Sequence, residues 1–125
     1  MKVEELLGVA KENIKNCYAP YSNFRVVAAI ETKEGKVYTG VNVENASYGL
    51  TMCAERVALF KAVSEGVRDF LKILIYSPDG MPYPCGACRQ VLSEFCNRDF
   101  LVVVASDERI EKFTLGGLLP HSFSL

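Results

Sequence analysis

The chain lacks most of the features that mark secreted, membrane-bound or nucleic-acid-binding proteins. Its 14 Lys and Arg against 15 Asp and Glu give a net charge of -1, so no basic excess favours a phosphate backbone or an anionic membrane as partner. The first residues, Met1–Glu5, contain no apolar signal core. Apolar runs such as Leu101–Ala105 are far too short to span a bilayer. These features predict a soluble, cytoplasmic protein with no nucleic-acid partner and no membrane partner.

Histidine is nearly absent, and cysteine is present in an odd number. The single histidine, His121, lies near the C-terminus and has no partner nearby in the sequence, so we interpret it as a surface or interface residue. Five cysteines fit poorly with a fully paired disulfide framework. In a reducing compartment, clustered thiols are more typical of metal-binding or catalytic sites.

Length and composition predict one globular domain over residues 1–125, since 50% of the residues are hydrophobic and 23% are charged. No internal repeat, low-complexity stretch or linker interrupts it. Residue periodicity predicts three main helices, over Lys2–Cys17, Cys53–Glu65 and Gly86–Asn97. Five β-like segments are predicted as well, over Phe24–Ile30, Lys36–Val41, Lys72–Ser77, Leu101–Ser106 and Ile110–Phe113. The first two strands are expected to form a hairpin, and Thr114 to cap a final helical turn. Strands with helical crossovers predict an α/β sheet with helices on its faces.

One pair of motifs carries chemistry: Cys53–Glu55, followed by Pro84–Cys88. Three thiolates leave the fourth tetrahedral position of Zn²⁺ open for water. The zinc deaminases have this signature, with a His or Cys, one residue and Glu, then Pro-Cys-x-x-Cys. Cys53 begins one predicted helix, Cys85 immediately precedes another, and Cys88 follows Cys85 by one turn. A helix N-terminus favours thiolates at such positions.

Spacing alone leaves a structural zinc site and a redox dithiol as alternatives. A structural site needs four closed ligands. Cys17 and Cys96 are the remaining thiols, but they lie among apolar neighbours on predicted helix faces and are interpreted as ordinary packed thiols. The spacing therefore favours catalytic zinc.

Glu55 is a candidate for proton transfer beside the metal, and two arginines are candidates for hydrogen bonding to its thiolate ligands. A glutamate within reach of an activated water can take its proton, pass it to a ring nitrogen and later protonate a leaving amine. Zinc with three thiolates carries a formal charge of about -1, which weakens it as a Lewis acid. Arg56 lies one turn from Cys53 and is predicted to donate to the thiolates. Arg89, beside Cys88, is a second candidate; both arginines are also compatible with plain surface charges.

Four ordered segments, Tyr18–Phe24, Asn42–Tyr48, Cys53–Arg56 and Pro84–Leu92, closely resemble cytidine deaminases of the short, homotetrameric type. The resemblance extends over essentially the whole chain, including Leu118–Phe123. It implies a three-layer α/β/α fold with a mixed sheet of about five strands, a Zn²⁺ cofactor and a homotetramer. The implied reaction is hydrolytic deamination of cytidine and deoxycytidine to uridine and deoxyuridine, with release of ammonia, in pyrimidine salvage.

The resemblance also assigns the reaction centre. Zinc is bound by Cys53, Cys85 and Cys88, and a water activated there attacks C4 of the cytosine ring. Glu55 shuttles protons, first to N3 of the ring. The backbone N–H of Ala54 binds the pyrimidine carbonyl.

The remaining substrate contacts follow from the same resemblance. Asn42 and Glu44 hold the ribose 3′-hydroxyl, as an amide and a carboxylate together can donate to and accept from a hydroxyl. Phe24 packs against the base, and Phe123 does so from a neighbouring subunit. Tyr48 lies near the site at a subunit contact.

Two other functions stay open from the sequence. One is deamination of another aminopyrimidine nucleoside, such as blasticidin S. The other is a structural zinc module that binds nucleic acid, against which the near-neutral charge argues. One departure from the family pattern is Val27, where this type usually has glycine; it alters strand packing but touches no proposed ligand.

Overall fold

A computed structural model describes all 125 residues, which form a five-stranded sheet and four α-helices. The strands are β1 (Val27–Thr32), β2 (Val37–Val41), β3 (Phe70–Tyr76), β4 (Leu101–Ala105) and β5 (Ile110–Thr114). The helices are α1 (Val3–Glu12), α2 (Ala54–Ser64), α3 (Gly86–Phe95) and α4 (Leu115–Leu118). The strand order is β2-β1-β3-β4-β5, in which only β3 and β4 pair in parallel. The predicted α/β fold with a mixed sheet is confirmed, as is the predicted hairpin of β1 and β2.

The helices cover both faces of the sheet. Successive strand residues point to opposite faces, so Ala28 and Ile30 join one buried cluster while Val27 and Ala29 join the other. The first cluster packs beneath α2 and α3, and the second packs beneath α1. Every residue of β1 is buried. Val27, at the position where glycine was expected, is fully buried beneath α1.

The first helix and the first strand differ from the sequence prediction. Helix α1 ends at Glu12 instead of Cys17, because the side chain of Asn13 donates to the Val9 carbonyl (2.9 Å) and the chain then turns. Strand β1 begins at Val27 instead of Phe24. The Asn42 side chain takes the hydrogen bonds that Phe24 and Val26 would otherwise offer to a neighbouring strand. The other elements were predicted to within about two residues, and Thr114 caps α4 by accepting from the Gly117 N–H (3.1 Å).

The topology brings two loops to one edge of the sheet. Strands β2 and β3 both pair antiparallel with β1, which lies between them, so they run in the same direction. Their last residues, Val41 and Tyr76, both pair with Val27. From these adjacent ends the chain runs into α2 and α3, so the starts of the two helices lie close together. No helix of this protein combines the length and apolar character needed to cross a bilayer.

Candidate active site

The three motif cysteines meet where α2 and α3 begin. Cys53 is the N-cap of α2, Cys85 is the N-cap of α3, and Cys88 lies in the first turn of α3. Their sulfur atoms all lie within 4.8 Å of one another, and the Sγ atoms of Cys53 and Cys85 are 3.9 Å apart. Two sulfurs that bind one tetrahedral zinc ion at about 2.3 Å are separated by about 3.8 Å. The donor set therefore fits zinc, and the predicted trio is confirmed as a group placed to hold a metal ion.

Hydrogen bonds favour thiolate at this cluster. The Cys88 thiol and the Arg56 guanidinium both donate to the Cys53 sulfur and lower the pKa of Cys53 to about 5, against the opposing effect of burial. The Arg56 Nη2 atom lies 3.4 Å from that sulfur, which is the contact expected from the sequence. The Cys88 pKa is raised, first by its hydrogen bond to Cys53 and then by burial. A bound cation would compensate this concentration of sulfur charge.

Glu55 lies beside the cysteines in the first turn of α2 and is only 5% exposed. Burial raises the pKa of its carboxyl to about 7, because a low-dielectric environment disfavours the charged form. A carboxyl that titrates near neutrality can both take up and release a proton under ordinary conditions.

A cleft of about 250 Å³ opens over Glu55 and two of the sulfurs. Of the residues expected at the substrate, Phe24, Asn42 and Ala54 line it. Several other residues of its wall were not predicted from the sequence, and they lie either shortly before β1 or shortly before a cysteine motif: Ser22, Val26, Thr51, Met52, Pro82 and Tyr83.

Asn42 is buried and lies directly after β2, at the end of the hairpin where β1 begins. Its Oδ1 accepts from the Val26 N–H (3.1 Å), and its Nδ2 donates to the Phe24 carbonyl (2.8 Å). A side-chain amide has two N–H donors and two acceptor lone pairs. One donor and one lone pair of Asn42 therefore remain for a ligand.

Glu44 and Tyr48 line an adjoining cavity that shares Ser22 and Thr51 with the cleft. The Glu44 carboxylate accepts from the Ser22 hydroxyl and from the backbone N–H groups of Tyr21 (2.9 Å) and Ser22 (3.1 Å). The hydrogen bond from Ser22 lowers the pKa of Glu44. Tyr48 is 76% exposed, and its ring meets that of Tyr21 edge-on, with ring centroids 5.9 Å apart.

Phe123 does not line the cleft of its own chain. It lies in the C-terminal tail along α3, and the residue is 70% exposed. Arg89 is no partner of the thiolates, since its guanidinium donates to the carbonyls of Pro84 and Leu118 (both 2.8 Å). His121 is exposed, as the sequence predicted.

Comparison with known proteins places this geometry in a family. Residues 1–104 match the model for the cytidine and deoxycytidylate deaminase zinc-binding region. A cytidine deaminase of Sporosarcina psychrophila is 45% identical over 99% of this chain and 93% of its own length. The crystal structure of cytidine deaminase from Burkholderia pseudomallei has a TM-score of 0.93 and 45% identity, covering 98% of this chain and 100% of that one. A blasticidin-S deaminase of Bacillus cereus is more distant, with 33% identity over 96% of this chain and 91% of its own length.

The match extends along nearly the whole chain and includes both cysteine motifs and the glutamate between them. The fold, the three sulfurs and the buried carboxyl agree with it. The chain therefore belongs to the cytidine deaminase family of zinc-dependent hydrolases that act on carbon–nitrogen bonds.

Proposed function

We propose that this protein hydrolyses cytidine and deoxycytidine to uridine and deoxyuridine and releases ammonia, in pyrimidine salvage. The observation that carries the proposal is the buried carboxyl of Glu55 in the wall of a cleft next to three thiol ligands. Cys53, Cys85 and Cys88 would hold the zinc ion, which would supply an activated water by lowering the pKa of that water. Glu55 takes the first proton of the attacking water and delivers it to N3 of the pyrimidine, while the water oxygen forms a bond to C4. The carboxyl next takes the second proton from the new hydroxyl on C4. The same carboxyl then gives a proton to the departing amino group.

The start of α2 also supplies a donor for the base. Ala54 is the first residue of the helix, and the first N–H groups of a helix have no acceptor within it. We assign this N–H to the pyrimidine carbonyl. Phe24 lines the same cleft and packs its ring against the base.

The ribose contacts come from Asn42 and Glu44. Asn42 keeps one N–H and one lone pair free, and Glu44 holds the loop at Tyr21 and Ser22 beside it. We assign both residues to the 3′-hydroxyl, which is present in cytidine and deoxycytidine alike. The negative charge of Glu44 is expected to disfavour nucleotides, because a phosphate would be repelled there.

We also propose that the protein is a homotetramer. Tyr48, Leu50 and Phe123 are each more than two-thirds exposed, and large exposed apolar side chains are typical of interaction surfaces. In such an assembly Phe123 completes the wall of a neighbour's cleft.

The five cysteines are all free thiols, which supports a reducing, cytoplasmic location.

A second candidate substrate is blasticidin S, favoured by the similarity to a blasticidin-S deaminase. The more distant alternative, a structural zinc module that binds nucleic acid, predicts tight single-strand binding that weakens steeply with salt, and no ammonia release.

The test is direct assay of the purified, zinc-loaded protein. Cytidine, deoxycytidine, cytidine monophosphate and blasticidin S are compared by loss of absorbance and by release of ammonia. We expect turnover of the two nucleosides and little turnover of the monophosphate. Turnover of blasticidin S alone would replace the proposal with its first rival, and salt-sensitive binding of single strands without ammonia release would replace it with the second.

A further inference from the structure

The C-terminal tail is bound to α3 by the side chain of Gln90, which pairs with the tail backbone as a neighbouring strand would. The Gln90 side chain makes two hydrogen bonds with Phe123: its Nε2 donates to the Phe123 carbonyl (3.0 Å), and its Oε1 accepts from the Phe123 N–H (3.1 Å). This reciprocal pair is the pattern that two residues exchange in an antiparallel sheet. The backbone of Phe123 is therefore held at two points, while the residue as a whole remains 70% exposed.

Two arginines hold the tail upstream of Phe123. Arg98 donates to the Pro120 carbonyl (3.0 Å). Arg89 donates through Nη1 to the Leu118 carbonyl and through Nε to the Pro84 carbonyl (both 2.8 Å). Since Pro84 immediately precedes a metal ligand, one guanidinium joins the tail to the ligand-bearing loop.

Burial of apolar side chains does not account for the ordered position of this tail. Every residue from Pro120 to Leu125 is exposed, so the tail buries little apolar surface in its own chain. Fixing a backbone and long side chains costs conformational entropy, which these hydrogen bonds offset. The result is an exposed aromatic residue whose backbone is held in place.

We propose that Gln90 is a positioning residue that aims the ring of Phe123 at the cleft of a second copy of the chain. The inference rests on the proposed function, in which Phe123 packs against the base bound by a neighbouring subunit. Gln90 itself touches no substrate, so its effect is exerted through substrate affinity.

The experiment compares Gln90→Ala with Glu94→Ala, a change at an exposed residue of the same helix. We expect Gln90→Ala to raise KM for cytidine about three- to tenfold, the effect of one or two neutral hydrogen bonds, with kcat within about twofold and zinc content unchanged. Glu94→Ala is expected to match the unsubstituted protein. Gln90→Glu keeps the acceptor for the Phe123 N–H but loses the donor, and is expected to give an intermediate KM.

A double-mutant cycle tests whether Gln90 acts through Phe123. In a Phe123→Ala background, Gln90→Ala is expected to raise KM no further; an undiminished effect there would overturn the inference. Hydrogen exchange of the Phe123 amide is a readout that does not depend on catalysis. We expect faster exchange in Gln90→Ala, and an unchanged rate together with an unchanged KM would also overturn the inference. Absence of cytidine turnover in the unsubstituted protein would instead refute the proposed function, while the exchange rates would still report on Gln90.

Discussion

Gly40 of β2 lies directly against the backbone of Ala54 at the start of α2. A Cβ atom at position 40 would lie 2.5 Å from the Ala54 carbonyl oxygen and 2.4 Å from the Ala58 nitrogen, far inside van der Waals contact. The strand and the helix therefore meet with no side chain between them. Because Cys53 and Glu55 lie at this end of α2, the contact fixes how far these two residues lie from the sheet.

We expect Gly40→Ala to displace the start of α2, because the backbone atoms it meets cannot rotate away. The cost in unfolding free energy should be at least the about 1–3 kcal/mol typical of overpacking, with weaker zinc binding. Urea unfolding and zinc titration measure the two effects. Gly8→Ala in α1 is the matched control, since nothing lies within 4 Å of its Cβ, and it should stabilise by about 0.5–1 kcal/mol. Equal stability of the two variants would show that β2 and α2 are not in tight contact.

Glu55→Gln should keep zinc and lose turnover. The amide has nearly the same shape but cannot carry the proton, so kcat should fall by about 10²–10⁴-fold. Because a buried carboxyl is replaced by a neutral group, the unfolding free energy should not decrease. Zinc analysis, steady-state kinetics and denaturant unfolding test these three points, with Glu94→Gln as a surface control. Full activity in Glu55→Gln would remove this residue from the mechanism.

Removal of the metal should abolish turnover and also loosen the protein. The ligand sulfurs belong to two different helices, so the ion links α2 to α3 and its binding free energy adds to folding. We expect chelation to lower the midpoint of thermal unfolding, and added zinc to restore both the midpoint and the activity.

Two cysteine substitutions separate ligands from ordinary thiols. Cys88→Ala should bind less than one zinc per chain, whereas Cys96→Ala, which removes a thiol packed against the core, should bind zinc normally. Metal-free protein with full activity, or loss of zinc from Cys96→Ala, would contradict the assigned ligand set.

Glu31 should make stability depend on pH. Burial alone would raise the pKa of this carboxyl, but the hydrogen bond from the N-terminal ammonium (2.8 Å) and the ion pair with Lys72 (3.0 Å) outweigh burial and hold the pKa below the ordinary value. A group with a lowered folded-state pKa stabilises above its unfolded pKa of about 4.5, and this stabilisation is lost as pH falls through the folded value. Glu31→Gln should therefore cost about 1–3 kcal/mol at neutral pH.

The difference between the unsubstituted protein and Glu31→Gln should shrink as the solution is made acidic. Unfolding in urea at several pH values measures it, and Glu34→Gln, at an exposed turn, should show no such difference. A gap that stays constant through the acidic range would mean that the ion pairs of Glu31 do not stabilise the fold.

Local patterns predicted the elements that carry the ligands. Cys53 and Cys85 were expected to begin helices and do so, because helix starts, turn-rich loops and apolar periodicity are encoded by neighbours in the chain. The boundaries that failed depend on distant partners. Strand β1 starts late because Asn42, far along the chain, takes the hydrogen bonds of Phe24 and Val26.

In the candidate site too, the features set by neighbouring residues were predicted, whereas those set by distant partners were not. The sequence predicted the cysteine group because the spacing of the three residues is dictated by the chemistry of one metal. The role of Glu55 as proton carrier stays a prediction. The contact of Arg56 with Cys53 was expected because one helical turn separates them. The sequence left the contacts of Arg89 open, because its carbonyl partners are set by the path of the C-terminal tail. Tyr83 had no signal except its position shortly before Cys85, although it lines the cleft.

Asn42 has both a structural role and a proposed binding role, and this affects how recognition of the sugar can be measured. The Asn42 amide holds the segment at Phe24 and Val26, and in the proposed function its remaining N–H and lone pair bind the nucleoside. Truncating the side chain would therefore release the segment at Phe24 and also remove the contact with the pentose. Loss of affinity in Asn42→Ala would therefore report two events at once. Altering the pentose while leaving the enzyme intact, for example with 3′-deoxycytidine, isolates the recognition event.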